Sequence, residues 1–222
     1  RAALLKDFLL DIIGIGIIVG LILWKGHRRR SGLVLMSVLL LSVPAQLYYL
    51  PGVVAASYQS RRTFPMIADF ESGLEHWIWD ENFHSLLKFV NVPDGPDGPT
   101  GVLRATSGPP DHWPGVKVRR FSHDWSKFRT LEFDVRVVIA STDSVPMSLR
   151  LDDYLGTRDN QGARLGFFAN RRWRTIRFDL TQAYLSDNSR PLDTSDMELI
   201  LVYLPRPTAP VVYELDNFRL RN

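Results

Sequence analysis

Leu131-Glu132-Phe133-Asp134-Val135-Arg136-Val137 decides the fold of most of this chain. Apolar and charged residues alternate along it without a break. Successive side chains of a strand point to opposite faces, so the segment predicts a strand with one face on a core and the other carrying charges. Thr175-Ile176-Arg177-Phe178-Asp179-Leu180 repeats the design. Working outward, strand-like runs recur at 66–70, 76–79, 86–92, 102–106, 115–120, 130–138, 147–151, 163–168, 175–180, 199–203 and 211–220. Gly, Pro, Asp and Asn clusters separate them, and only residues 181–184 suggest a helical turn. Eleven short strands of this kind predict an antiparallel β-sandwich over residues 66–222.

Two loops are rich in chain breakers. Pro93-Asp94-Gly95-Pro96-Asp97-Gly98-Pro99 repeats Asp-Gly-Pro, which suits consecutive tight turns. It lacks the spacing and the closing acid of an EF-hand calcium loop. The second loop runs from Gly108 through Trp113 to Gly115.

The first 62 residues are different. Two apolar runs, at 8–24 and 33–50, flank the basic turn Lys25-Gly26-His27-Arg28-Arg29-Arg30. Each run approaches the roughly 20 residues that a membrane-spanning helix needs. The pattern predicts a transmembrane helical hairpin within residues 1–56, its basic turn at 25–32, followed by a linker at 57–65. The positive-inside rule then places the turn in the cytoplasm and the β-domain on the periplasmic side of a bacterial inner membrane. The lipid bilayer and neighbouring transmembrane helices are the partners expected of such a hairpin. Gly16 and Gly20 form a GxxxG face for close helix packing, and Asp11 either caps or snorkels at an interface or pairs with a neighbouring helix.

Charge divides along the same line. Residues 1–62 hold eight Lys/Arg against Asp7 and Asp11, whereas residues 63–222 hold 19 Lys/Arg against 22 Asp/Glu. The overall +3 balance therefore belongs to the N-terminal part and is no sign of a nucleic-acid partner. The absence of cysteine excludes disulfides, Cys-ligated zinc and thiol catalysis.

Certain residues carry a resemblance. Ile67-Ala68-Asp69-Phe70-Glu71, Trp77, Trp113-Pro114-Gly115-Val116, Asp124-Trp125-Ser126 and Leu215-Asp216-Asn217-Phe218-Arg219-Leu220 look like a carbohydrate-binding-module-type (galactose-binding-like) jelly roll over residues 66–220. The resemblance implies first and last strands lying side by side. It also implies a structural calcium among Asp69, Glu71 and Asp216. Residues 7–20 (DFLLDIIGIGIIVG) are similar to the C-terminal membrane helices of VanZ-like domains, with the rest of that bundle missing.

Sugar binding needs exposed aromatic platforms beside hydrogen-bonding side chains. Trp79, Trp113, Trp125, Tyr154 and Trp173 are candidate platforms, and each tryptophan can equally be core or edge packing. Arg150, Asp152, Asp153, Arg158, Asp159 and Asn160 are the polar partners around Tyr154. Arg150 and Asp152 alternate with Leu149 and Leu151, so both should point off the core face. Asp152 and the neighbouring Asp153 should face opposite ways, which does not suit a glycosidase acid pair. No G-x-S-x-G, H-E-x-x-H or phosphate-loop motif occurs. The sequence therefore predicts a non-catalytic, membrane-anchored module, and the resemblance implies that it binds a glycan such as an envelope polysaccharide. The alternative is an accessory subunit of a respiratory or photosynthetic membrane complex, packing through its hairpin.

Overall fold

The computed structural model describes residues 49–107, 113–186 and 190–222. The chain forms two compact units, Arg1–Val54 and Ala55–Asn222. Of the first, only the start of helix α1 (Tyr49–Thr63) is described.

The membrane expectation is corrected here. Among the described residues no helix is long and apolar enough to cross a membrane. Helix α1 has 15 residues, rising about 22 Å at ~1.5 Å per residue, short of a ~30 Å hydrocarbon core. Its last turns carry Gln59, Arg61 and Arg62, and it runs through most of the stretch expected as a linker. The basic turn, Asp11, Gly16, Gly20 and the runs at 8–24 and 33–48 lie outside the described residues. The fold supported is an antiparallel β-sandwich with short helices. The inner-membrane placement, the bilayer and helix partners, the VanZ-like resemblance and the membrane-complex subunit have no support in it.

Among the described residues eleven strands follow α1. They are β1 (Met66–Ala68), β2 (Trp79–Asn82), β3 (Leu86–Gly95), β4 (Gly98–Thr106), β5 (Gly115–Val118) and β6 (Thr130–Ile139). Then come β7 (Ser144–Asp153), helix α2 (Tyr154–Arg158), β8 (Ala163–Asn170), β9 (Arg174–Asp179), β10 (Met197–Tyr203) and β11 (Val212–Arg221). One sheet runs β3-β4-β11-β6-β9, with β1 also pairing β11; the other runs β2-β5-β10-β7-β8. Every pairing is antiparallel, and β1 beside β11 puts the first and last strands side by side.

The inner faces follow the alternation. Leu131, Phe133, Val135 and Val137 of β6 and Met147, Leu149 and Leu151 of β7 are buried in one core. Phe133 stacks on Phe218 with ring centroids 4.8 Å apart, and Trp79 lies 4.9 Å from the same ring. The outer face of the six-stranded sheet departs from the expectation of a solvated charged surface. Glu132, Asp134, Glu214 and Asp216 are all buried. Glu214 stands directly between Arg104 and Arg136 on the flanking strands and accepts from Arg104 Nε at 2.8 Å and Arg136 Nε at 2.6 Å. Burying this carboxylate is tolerable because both arginines pair with it.

Two local readings also change. Residues 75–77 form a 3-10 turn, closed by Trp77 N–H donating to Leu74 C=O at 3.0 Å, so β2 starts at Trp79 rather than 76. The polar stretch after Asp152 contains α2, capped by the Asp153 carboxylate accepting from Gly156 N–H at 2.7 Å.

Candidate functional site

The outer face of the five-stranded sheet builds the site, because strand register aligns side chains in rows across it. One row runs Asp80, Lys117, Leu201, Arg150 and Arg164 across β2, β5, β10, β7 and β8. The next runs Asn82, Gly115, Tyr203, Ser148 and Gly166. On the other side Leu199 opposes Asp152. An open cleft of about 360 Å³ lies over these rows.

Its floor is half apolar, with Leu199, Leu201 and Tyr203 projecting from β10. Trp113 stands at its rim, 44% exposed, and Phe83 lines it too. Asn82 Nδ2 donates to the Trp113 carbonyl at 2.9 Å. The Arg206 guanidinium carbon lies 5.8 Å from the Trp113 ring centroid, within cation–π range. A Cβ on Gly115 would stand 2.3 Å from the Val202 carbonyl oxygen and 2.7 Å from Tyr203 Cβ, so only glycine lets β5 pass this close. Phe83, Asn160 and Arg206 all have positive φ, at 45°, 56° and 49°. Left-handed backbone costs non-glycine residues about 1–2 kcal/mol each, and here it aims three side chains at the cleft or its rim.

The polar wall is a fork. Arg150 Nε and Nη2 donate to Asp152 Oδ1 and Oδ2, both at 2.7 Å, and Arg150 Nη1 donates to Asn160 Oδ1 at 3.0 Å. Burial pushes the Asp152 carboxyl above its ordinary range, with Arg150 and then Arg119 acting the other way. Asp153 belongs elsewhere. Burial would raise it too, but bidentate Arg190 and the N–H groups of Asp193 and Gly156 outweigh that and hold it low.

The structure thus brings Trp113, Arg150, Asp152 and Asn160 together on one cleft. Tyr154 is exposed but outside the cleft lining, and Arg158 pairs with Asp159 at 3.1 Å. Trp79 and Trp125 are core residues; Trp125 Nε1 donates to the Ser122 carbonyl at 2.6 Å. Trp173 sits on the opposite sheet, donating to the Asp94 carbonyl at 2.7 Å with the Arg136 guanidinium 4.8 Å above its ring. Phe83, Lys117, Arg119, Arg164 and Tyr203 line the cleft without having been singled out by sequence reasoning. Lys117 between Val116 and Val118 carried an outward signal. Tyr203 ends an apolar run that reads as buried on both faces.

Asp69, Glu71 and Asp216 do not fit the implied calcium site. Glu71 Oε1 accepts from the Thr100 hydroxyl and from Gly101 N–H at 3.0 Å, and Asp216 Oδ2 faces the same hydroxyl at 3.2 Å. Asp69 instead turns onto its own loop, accepting from Glu71 N–H at 3.3 Å. Among the described residues no group of three or more His, Asp or Glu side chains could hold a metal ion. Burial, with Asp134 and Glu71 adding repulsion, pushes the Asp216 carboxyl up to about 7.

No protein-family model matches the sequence, and no curated protein matches it. Solved structures do. The chain superposes on an exo-beta-agarase with TM-score 0.58 and 15% identity over 70% of its own length, but spans only 25% of that enzyme. It superposes on the family 11 carbohydrate-binding module of a cellulosomal cellulase of Clostridium thermocellum with TM-score 0.52 and 18% identity. That match covers 71% of this chain and 93% of the module. At these identities the likeness is one of fold. The fold of the β-sandwich resembles that of this module.

Proposed function

We propose that the β-sandwich is a non-catalytic glycan-binding module whose ligand lies along the outer face of the five-stranded sheet. The observation that carries this reading is the open cleft with exposed Trp113 at its rim and the Arg150–Asp152–Asn160 fork in its wall. An aromatic face takes the apolar side of a sugar ring, while fixed polar groups meet its hydroxyls. Its fold likeness to a carbohydrate-binding module supports the same reading.

The carboxylates support a binding role rather than a hydrolytic one. Among the described residues, Asp152 is the only acid lining the cleft, and both its oxygens are held by Arg150. Glycosidases generally need two carboxyl groups flanking one bond, and Asp153 is bound to Arg190 instead.

Affinity electrophoresis tests the proposal. The full chain is run through gels carrying mixed-linkage β-glucan, xylan, a galactan or a polyuronate. Retardation on at least one, abolished in Trp113→Ala, is the expected result. Unchanged migration on all of them rejects the reading.

A further inference from the structure

We infer that the cleft selects anionic glycans, bearing carboxylate or sulfate groups along the chain, over neutral ones. The inference rests on the glycan-binding reading above and concerns the ligand class of that same site.

Lys117, Arg119, Arg150 and Arg164 line the cleft, and Arg206 stands over Trp113 at its rim. Against them, Asp152 is the only acid in the lining among the described residues, and it is committed to Arg150. Lys117, Arg119 and Arg164 make no ion pair with a described carboxylate. Asp80 is the nearest balance by register, opposite Lys117 on the edge strand. This concentration is local, since residues 63–222 carry more acids than bases.

Register makes the excess specific. Lys117, Arg150 and Arg164 belong to one row, and Arg150 directly opposes Arg164 on the neighbouring strand. Like charges placed opposite each other destabilise a sheet unless something neutralises them. Across the sheet, Lys117 and Arg164 are three strand spacings apart, about 14 Å, so the cations are laid out along a line rather than at a point. Arg150 is already paired with Asp152, but a neutral glycan would leave Lys117 and Arg164 without an ion-pair partner among the described residues. A chain with a repeating negative group would meet them in succession, with the field focused by the concave, partly apolar surface.

The full chain is titrated calorimetrically with polygalacturonate fragments, a sulfated galactan, neutral mixed-linkage β-glucan and polyaspartate. The expected result is binding to one or both acidic glycans about 10-fold tighter than to the β-glucan, or 1.4 kcal/mol, and weakened by added salt. Which of the two binds distinguishes carboxylate from sulfate. Lys117→Ala and Arg164→Ala should each weaken it by about 5-fold, the upper scale of an exposed charge contact. Lys117→Arg and Arg164→Lys should retain it, which excludes a folding defect. Binding to the neutral glucan alone overturns the inference and leaves the glycan-binding reading intact. Equal binding to polyaspartate that survives Trp113→Ala overturns it as well, because charge alone would then suffice. No binding to any glycan rejects both readings.

Discussion

Arg150 and Asp152 lie two residues apart on β7 and grip each other through two parallel hydrogen bonds of 2.7 Å. Their side chains are 13% and 1% exposed, so the pair is largely removed from water while facing the cleft. The geometry depends on a residue across the strand pair. A Cβ on Gly162 would stand 1.9 Å from Asp152 Oδ1 and 2.8 Å from Arg150 Nε. The fork and the glycine therefore form one packing unit.

Removing one half of the fork should strand the other. Asp152→Ala leaves the Arg150 charge largely buried without its partner, and breaking a buried pair costs about 3–5 kcal/mol. Urea unfolding should show a loss of that order, and replacing both residues by Leu should cost less than the two single changes summed. A loss below about 0.5 kcal/mol in Asp152→Ala, the scale of an unremarkable surface change, would contradict this account.

Two glycines on either side of Arg164, one just before β8 and one within it, should behave oppositely. Gly162→Ala forces a methyl into the fork and should cost about 1–3 kcal/mol by overpacking. At Gly166 nothing lies within 4 Å of an added Cβ, and Ser148 and Tyr203 continue its row. Gly166→Trp should therefore keep stability within about 1 kcal/mol while its ring obstructs the row and weakens glycan retention. Thermal melts and affinity electrophoresis on the same samples check both halves; a Gly166→Trp protein that binds normally counts against this placement of the ligand.

The tryptophans separate binding from stability. Trp113→Ala, at an exposed rim position, should change stability by no more than about 0.5 kcal/mol yet abolish retardation in glycan gels. Trp125→Ala, at a fully buried position, should cost about 3–5 kcal/mol. Calorimetric unfolding of the two variants is the direct comparison.

Stability should fall with rising pH through neutrality. Asp216 has its folded pKa raised to about 7 from an ordinary 3.8, by burial and by the facing Asp134 and Glu71. Folding thus favours the protonated form. The contribution is fully present below the ordinary value and is lost as pH rises through about 7. Glu132 and Asp153, held low by arginines, lose stability only at more acid pH, below the ordinary carboxylate range. The melting temperature should rise between about pH 8 and about pH 5, and Asp216→Asn should flatten that slope. An equal slope in the variant would show that another group controls it.

How legible was this in the sequence? The facing of each strand was largely written there. Leu131, Phe133, Val135 and Val137 are buried as their alternation predicts, and Arg150 and Asp152 point off the core, alternating with buried Leu149 and Leu151. The misplacement of β2 has a physical source. Trp79-Asp-Glu-Asn82 has little intrinsic strand preference and is held by pairing with β5, a case of tertiary context overriding propensity. The apolar N-terminal runs at 8–24 and 33–48 lie outside the described residues. Their composition suits a membrane, and among the described residues no helix is long and apolar enough to cross one.

Alternation is a local property, set by the geometry of one strand, so the sequence alone determined an antiparallel sandwich and which residues of most strands turn outward. Which outward residues become neighbours depends on strand order and register, set when two sheets close over one core. Lys117, Arg150 and Arg164 are separated by many residues of chain and meet in one row only because β5, β10, β7 and β8 lie side by side in that order. Tertiary structure alone also buried Glu214 between Arg104 and Arg136, where an isolated strand would have left it in water. The sequence shows the direction of each charge; only the pairing of distant strands decides whether it meets a partner or is left for a ligand.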